Sequence, residues 1–182
     1  MRKALIIVDM QNDYCEGGSM AYKKSLKIIP KINRLRDDFP FVIFTRDLHS
    51  ENHCSFKQNG GKYPKHCIQG TYGSDIHKDI ISKFDDIIIN KGTLTEYDSD
   101  SIFYDASDID KLTKLKNLLL VNKITDLYFC GNGLESNIFS SIIDAINFKF
   151  KCHIIINCVT YLNKIKAVEC INYLKNLDVS II

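Results

Sequence analysis

Three charged residues in this chain stand just beyond short apolar runs, which makes them candidates for shared chemistry. Asp9 follows the run at 4–8, Asp47 comes shortly after 41–44, and Lys91 after 87–89. Asp47 and His49 are separated by one residue, so in extended backbone their side chains leave the same face. A carboxylate and an imidazole so placed begin a site for a divalent cation, and His66 can complete a facial set. Three of the five histidines, His49, His53 and His66, fall between residues 45 and 73. That stretch has no hydrophobic periodicity, and long loops of this kind inside compact domains usually carry function. Singly, each residue also has a plain reading: a turn with surface histidines, a strand-end acid, a solvated lysine. Their value lies in the ensemble.

Convergence of such distant residues requires a scaffold that brings strand ends together. Apolar runs of strand length recur at 4–8, 41–44, 87–89, 127–130, 152–159 and 179–182. Helix-period stretches lie between them. Residues 28–39 carry Ile29, Ile32 and Leu35 at helical spacing, with Pro30 acceptable near the helix start. Residues 108–123 place Leu112, Leu115, Leu119 and Leu120 on one face, with Asp108 as the cap. Further helices are expected over 135–149 and 164–177. Alternating strands and helices with nearly continuous apolar strands predict an α/β fold, a three-layer α/β/α sandwich around a mostly parallel six-stranded sheet. In such a sheet the site lies at the carboxyl ends of the strands, where the strand order reverses. Asp9, Asp47, Lys91 and the loop at Gly131-Asn132-Gly133 all fall there.

The 182 residues suit one domain, residues 1–182, with a substantial core. Basic and acidic residues number 24 and 22, giving a net charge of +2 without a basic stripe, which argues against nucleic acid or an anionic membrane as partner. No apolar stretch approaches the roughly 18 residues of a membrane-spanning helix. The apolar run near the N-terminus stops at Asp9 with no small-residue cleavage site after it, so it reads as a buried strand rather than a leader. Seven cysteines, an odd number without a C-x-x-C pair, fit reduced thiols in a cytosol. A homo-oligomer is left open.

Four segments in order resemble those of nicotinamidases (pyrazinamidases), within the cysteine-hydrolase or isochorismatase-like superfamily: ALIIVDMQNDYCEGG at 4–18, TRDLHSENHCSF at 45–56, YPKHCIQGTYG at 63–73 and NKGTLTEYDSDSIFYD at 90–105. The resemblance covers essentially the whole chain. It implies that Asp9 is the acid/base carboxylate and Lys91 its cationic partner. It implies that Asp47, His49 and His66 hold a divalent metal, zinc before iron or manganese, with His53 as a further ligand in some members. Tyr14 and Tyr63 match the aromatic positions that sandwich a pyridine ring, and Gly133 lies in the loop that faces the substrate. The implied ligand is a pyridine carboxamide whose ring nitrogen meets the metal.

The family's nucleophile sits in a segment like CG-x-A-T-D-x-C-V. The matching stretch here is CGNGLESNI at 130–138, with Asp144-Ala145 anchoring the far side, and both anchors put Asn137 where the cysteine stands. Leu134, Glu135 and Ser136 also differ from the usual residues. An amide nitrogen is not nucleophilic at neutral pH, whereas a thiolate beside a lysine and a helix N-terminus is. The backbone N–H groups of this loop are the expected oxyanion donors. Ser136, Ser141, Cys130 and Cys67 are the stand-ins within reach, none with a clear case. Two readings follow: a nicotinamide amidohydrolase with an altered nucleophile, or a non-catalytic descendant that binds metal and a pyridine. A third, a different isochorismatase-like amidase, is opposed by the Asp-x-His…His set.

Overall fold

The computed structural model describes residues 2–105 and 111–182. The cap expected at Asp108 lies outside the described residues. In chain order the elements are β1 (Lys3–Val8), α1 (Ser25–Leu35), β2 (Phe41–Asp47), β3 (Ile87–Lys91), α2 (Leu115–Val121), β4 (Asp126–Gly131), α3 (Phe139–Asn147), β5 (Lys151–Val159), α4 (Lys164–Lys175) and β6 (Ser180–Ile181). The strands form one six-stranded sheet in the order β3-β2-β1-β4-β5-β6, and every neighbouring pair is parallel.

The continuous apolar runs are explained by burial on both faces. Along β1, Ala4, Ile6 and Val8 pack with Leu115, Leu119, Ile138, Ile142 and Leu174 on one side of the sheet. Leu5 and Ile7 pack with Ile28, Ile29, Ile32 and Phe44 on the other. The alternation is that of extended backbone, and it sets α1 against the helices that follow. Fully buried side chains such as Ile6, Ile32 and Phe129 each contribute about 1.5–3 kcal/mol of hydrophobic stabilisation.

Three elements depart from the sequence expectation. Helix α1 starts at Ser25, so Pro30 sits in its interior and the helix forgoes a bond to the Leu26 carbonyl. Leu26 is exposed, where water can satisfy that carbonyl. The helix expected from 108 is shorter: Thr113 donates to the Phe103 carbonyl and Tyr104 bridges Leu112 antiparallel, which keeps 111–113 extended. Leu112 and Leu120 are accordingly exposed, while Leu115 and Leu119 are buried. The helix expected over 135–149 is two pieces, a π turn over Leu134–Ile138 followed by α3. π turns inside helices often accompany functional sites.

β1 lies between β2 and β4, so the strand order reverses at the carboxyl end of β1. The long segment after β2 is tied over that end by side chains. Gln11 Nε2 donates to the carbonyls of Asp47 (2.7 Å) and Ser74 (2.9 Å), and its Oε1 accepts from the Asp47 amide (2.8 Å). Asp13 Oδ2 accepts from the Cys67 amide at 2.7 Å, which secures the residue beside His66.

Candidate functional site

Asp9, directly beyond β1, holds φ at 49°, a left-handed conformation uncommon for a residue with a Cβ. Such backbone strain is concentrated where a structure must aim a side chain. The Asp9 amide donates to the Thr45 carbonyl at 3.2 Å, and the Thr45 hydroxyl donates to Asp9 Oδ1 at 2.7 Å. Asp9 Oδ2 accepts from Asn137 Nδ2 at 2.5 Å and lies 3.5 Å from Lys91 Nζ. Lys91 Nζ also donates to Asp47 Oδ1 at 2.5 Å, and Tyr14 donates its hydroxyl to Asp47 Oδ2 at 2.5 Å. Five residues from five parts of the chain thus form one buried line: Tyr14, Asp47, Lys91, Asp9, Asn137.

The electrostatics follow from burial and pairing. Burial pushes the Asp9 carboxyl above its ordinary value, with Lys91 pulling the other way. Burial acts on Asp47 in the same sense, but Lys91 and His49 outweigh it and hold that carboxyl well below the usual range. Burial alone would lower Lys91; Asp47 and Asp9 reverse this, so it stays an ammonium. One lysine faces two carboxylates, and the cluster is short of positive charge.

Two imidazoles border that cluster, and in each the same ring nitrogen is left free. His49 Nδ1 lies 2.9 Å from the Gly92 carbonyl and His66 Nδ1 lies 2.8 Å from the Pro64 carbonyl. A carbonyl only accepts, so each Nδ1 carries the proton and each Nε2 is left as an acceptor or ligand. Burial, with His53 acting in the same sense against the pull of Asp47, brings His49 down to about 4, so its ring is neutral at pH 7. The two rings are 4.9 Å apart. Gly92 permits this: a Cβ there would lie 2.5 Å from His49 Cε1, and its φ is +62°.

Asp47 stands beside these rings and would add an oxygen to the two free nitrogens, a donor chemistry that suits a zinc-like divalent ion, although its Oδ1 now accepts from Lys91 and its Oδ2 from Tyr14. His53 is likewise committed to other partners. Its ring packs on His49 at 4.0 Å, but Nδ1 is bonded to Ser55 Oγ and Nε2 to the Tyr97 carbonyl, both at 2.8 Å. Among the described residues, His49, His53 and Asp98 have ligand atoms within 4.8 Å of one another. Asp98 therefore joins the neighbourhood, and the sequence signal for it lay inside the segment 90–105.

A cavity of about 290 Å³ opens onto these groups, lined among others by Tyr14, Tyr63, Asp47, His49, His66, Lys91 and Asn137. Tyr14 and Tyr63 both approach the His66 ring, at 5.6 and 5.9 Å between centroids. Tyr22 also lines the cavity, its hydroxyl 3.5 Å from Ser136 Oγ; nothing in its sequence surroundings marked it. Asp9 does not line the cavity: it is fully buried, and Asn137 lines the wall in front of it. Gly133 is not in the lining either. It opens the π turn at φ +83°, where a Cβ would meet Ser136 Oγ at 2.9 Å.

The π turn decides what the segment 130–138 can offer. The amides of Ser136 and Ile138 donate to the Gly133 carbonyl and that of Leu134 to the Thr160 carbonyl, so these three are spent inside the chain rather than free as oxyanion donors. Ser141 Oγ donates to the Asn137 carbonyl (2.5 Å) and accepts from the Ile102 amide (3.0 Å), which commits it to structure. Cys130 and Cys67 are fully buried, and burial pushes both thiols well above their ordinary value. All seven cysteines are free. No helix of the described residues is long and apolar enough to cross a membrane.

The isochorismatase domain model matches residues 3–179. The nicotinamidase of Acinetobacter baylyi is 32% identical over 170 residues, covering 85% of this chain and 79% of the relative. The pyrazinamidase of Pyrococcus horikoshii in complex with zinc superposes with a TM-score of 0.92 at 29% identity, covering 100% of this chain and 99% of that one. The L. infantum protein PnC1, solved in complex with nicotinate, gives a TM-score of 0.93 at 28% identity over 100% of this chain and 92% of its own. With its parallel sheet and its line of Tyr14, Asp47, Lys91 and Asp9, the chain belongs to the isochorismatase domain family, among its nicotinamidase-type members.

Proposed function

We propose that this nicotinamidase-type pocket binds a pyridine carboxamide beside a divalent ion, and that Asn137 closes the thioester route of its hydrolysis. Asp47, His49 and His66 are the residues that would hold the ion, which supplies a Lewis-acidic anchor for a ring nitrogen. Tyr14 and Tyr63 flank the ring, and Lys91 and Asn137 face the carboxamide. The zinc of the Pyrococcus structure and the nicotinate of the L. infantum structure support this reading.

The observation that carries the proposal is the bond from Asn137 Nδ2 to Asp9 Oδ2 at 2.5 Å. Where the family resemblance puts a thiol, Asp9 receives an amide hydrogen bond instead and has no acidic proton to take. Removing a nucleophile that works as part of a unit lowers the rate by about 10⁶, or about 8 kcal/mol of transition-state stabilisation. The buried thiols of Cys67 and Cys130 do not replace it.

A second reading has one observation in its favour. Burial raises Asp9, which moves it towards the range of an effective general base. A water would then attack the carboxamide carbon and lose a proton to Asp9. Asp9 would return that proton to the departing nitrogen, giving nicotinate and ammonia. Against it stands Asn137, which lies between Asp9 and the cavity.

Ammonia release from nicotinamide by the metal-loaded protein separates the two, with Asn137→Cys and Asp9→Ala in parallel. The proposal expects a silent parent and measurable turnover by the cysteine variant. Turnover by the parent that disappears in Asp9→Ala would instead overturn the proposal and require another nucleophile, with water activated by Asp9 the first to test.

A further inference from the structure

The orientation of the Asn137 side chain has a consequence for which ligand the site prefers; this rests on the pyridine-carboxamide reading above. A primary amide has a donor end and an acceptor end, and its neighbours decide which faces where. Asp9 Oδ1 already accepts from the Thr45 hydroxyl and Oδ2 faces the Lys91 ammonium at 3.5 Å, so both oxygens are set towards donors even though burial raises this carboxyl. A carboxylate only accepts, so Asn137 must present its NH₂ group, and Nδ2 lies 2.5 Å from Oδ2. Oδ1 is thereby turned away from Asp9. Among the described residues it accepts no hydrogen bond and is not sealed from solvent, and Asn137 lines the 290 Å³ cavity.

Glu135, two residues earlier on the same turn, adds to this. Its Oε1 accepts from the amides of Leu162 and Asn163, both at 2.7 Å, while Oε2 is buried without a partner. Glu135 lines the same cavity. Oε2 is sealed from solvent, so on this turn Asn137 Oδ1 is the unspent acceptor open to the cavity, and a ligand that brings an N–H donor satisfies it where one that brings a carboxylate cannot.

We infer that Asn137 Oδ1 accepts from the NH₂ group of the ligand's carboxamide, and so selects the amide over the corresponding acid. A carboxylate at that position sets acceptor against acceptor and leaves Oδ1 unpaired. A methyl ketone of the same shape keeps the carbonyl but supplies no donor. Sites that hydrogen-bond a polar group reject analogues that lack it far more strongly than apolar pockets reject a missing methylene.

The test is calorimetric titration of the metal-loaded protein with nicotinamide, nicotinate and 3-acetylpyridine. Nicotinamide is expected to bind at least about tenfold more tightly than either analogue, and Asn137→Ala to reduce that preference to about threefold or less. The three-ligand series on the parent stands even where the alanine variant does not fold. Equal affinity of the parent for amide and acid overturns the inference while leaving the pocket assignment intact. So does a tenfold preference that survives in a folded Asn137→Ala. Binding of none of the three overturns the pyridine-carboxamide reading itself, and this inference with it.

Discussion

Replacing Lys91 with methionine removes an ammonium that is 1% exposed and lies 2.5 Å from Asp47 and 3.5 Å from Asp9. With an effective dielectric constant of about 20, Coulomb's law assigns about 7 and about 5 kcal/mol to those two separations. Desolvation of the three groups cancels most of that. The net cost of removing one partner from a buried pair is about 3–5 kcal/mol, a large part of the roughly 5–15 kcal/mol that stabilises an ordinary domain. The loss depends on pH in a direction the structure sets. In the parent, burial already raises Asp9 against the pull of Lys91; without the lysine its folded-state value rises further. A folded acid with a raised value takes up a proton before the unfolded chain does, whose carboxyls titrate near about 4. The penalty is therefore larger at pH 7.5 than at pH 5. Guanidinium unfolding with chelator present, at both pH values, measures it directly. A loss below about 1 kcal/mol at pH 7.5, or one that grows on acidification, would refute the buried-charge reasoning.

Other expectations concern neighbouring parts. Gly92→Ala should weaken zinc binding by the protein, because the new Cβ would press on His49 Cε1 at 2.5 Å; titration with zinc and a competing chelator reads this, and unchanged affinity would remove His49 from the ligand set. Ser141→Ala should cost about 1–3 kcal/mol in a denaturant melt, since it leaves the Ile102 amide and the Asn137 carbonyl without their shared partner. Thiol labelling at pH 7.5 should reach the half-buried Cys54 and Cys170 before the fully buried Cys67 and Cys130; immediate labelling of either buried thiol would revive it as a nucleophile. Asp126, which burial would raise, is held below its ordinary value by Thr125 and His153. Its contribution is present above about pH 4 and lost as pH falls through its lower folded value, so Asp126→Asn should destabilise at pH 7 and approach the parent as the pH is lowered in unfolding curves.

Much of this protein is legible along the chain because its signals are local. Continuous apolar runs can be buried on two faces only in a parallel sheet between helices, and a residue that ends such a run must lie at the sheet's carboxyl edge. Asp9, Asp47 and Lys91 were locatable on that ground, and Asp47-x-His49 by the two-residue period of extended backbone. The strand order was not legible, since each crossover leaves the next strand free to add on either side. The split of 134–147 into a π turn and α3 was not legible either, because its cause lies in distant partners such as Thr160 for the Leu134 amide.

The sequence alone established that residue 137 is an asparagine and that no thiol follows the loop where one was expected. What that asparagine bonds to was decided by packing. Only the folded chain sets its NH₂ group against Asp9, from 128 residues away, in a residue that lines the cavity. The same holds for the imidazoles. Histidine at 49, 53 and 66 is a matter of sequence, but which nitrogens remain free depends on the carbonyls of Gly92, Pro64 and Tyr97, two of them brought in from another strand's end. Residue type limits what a side chain can donate or accept; the partners that use up part of that capacity, and so decide what is left for a ligand, come together only in the tertiary structure.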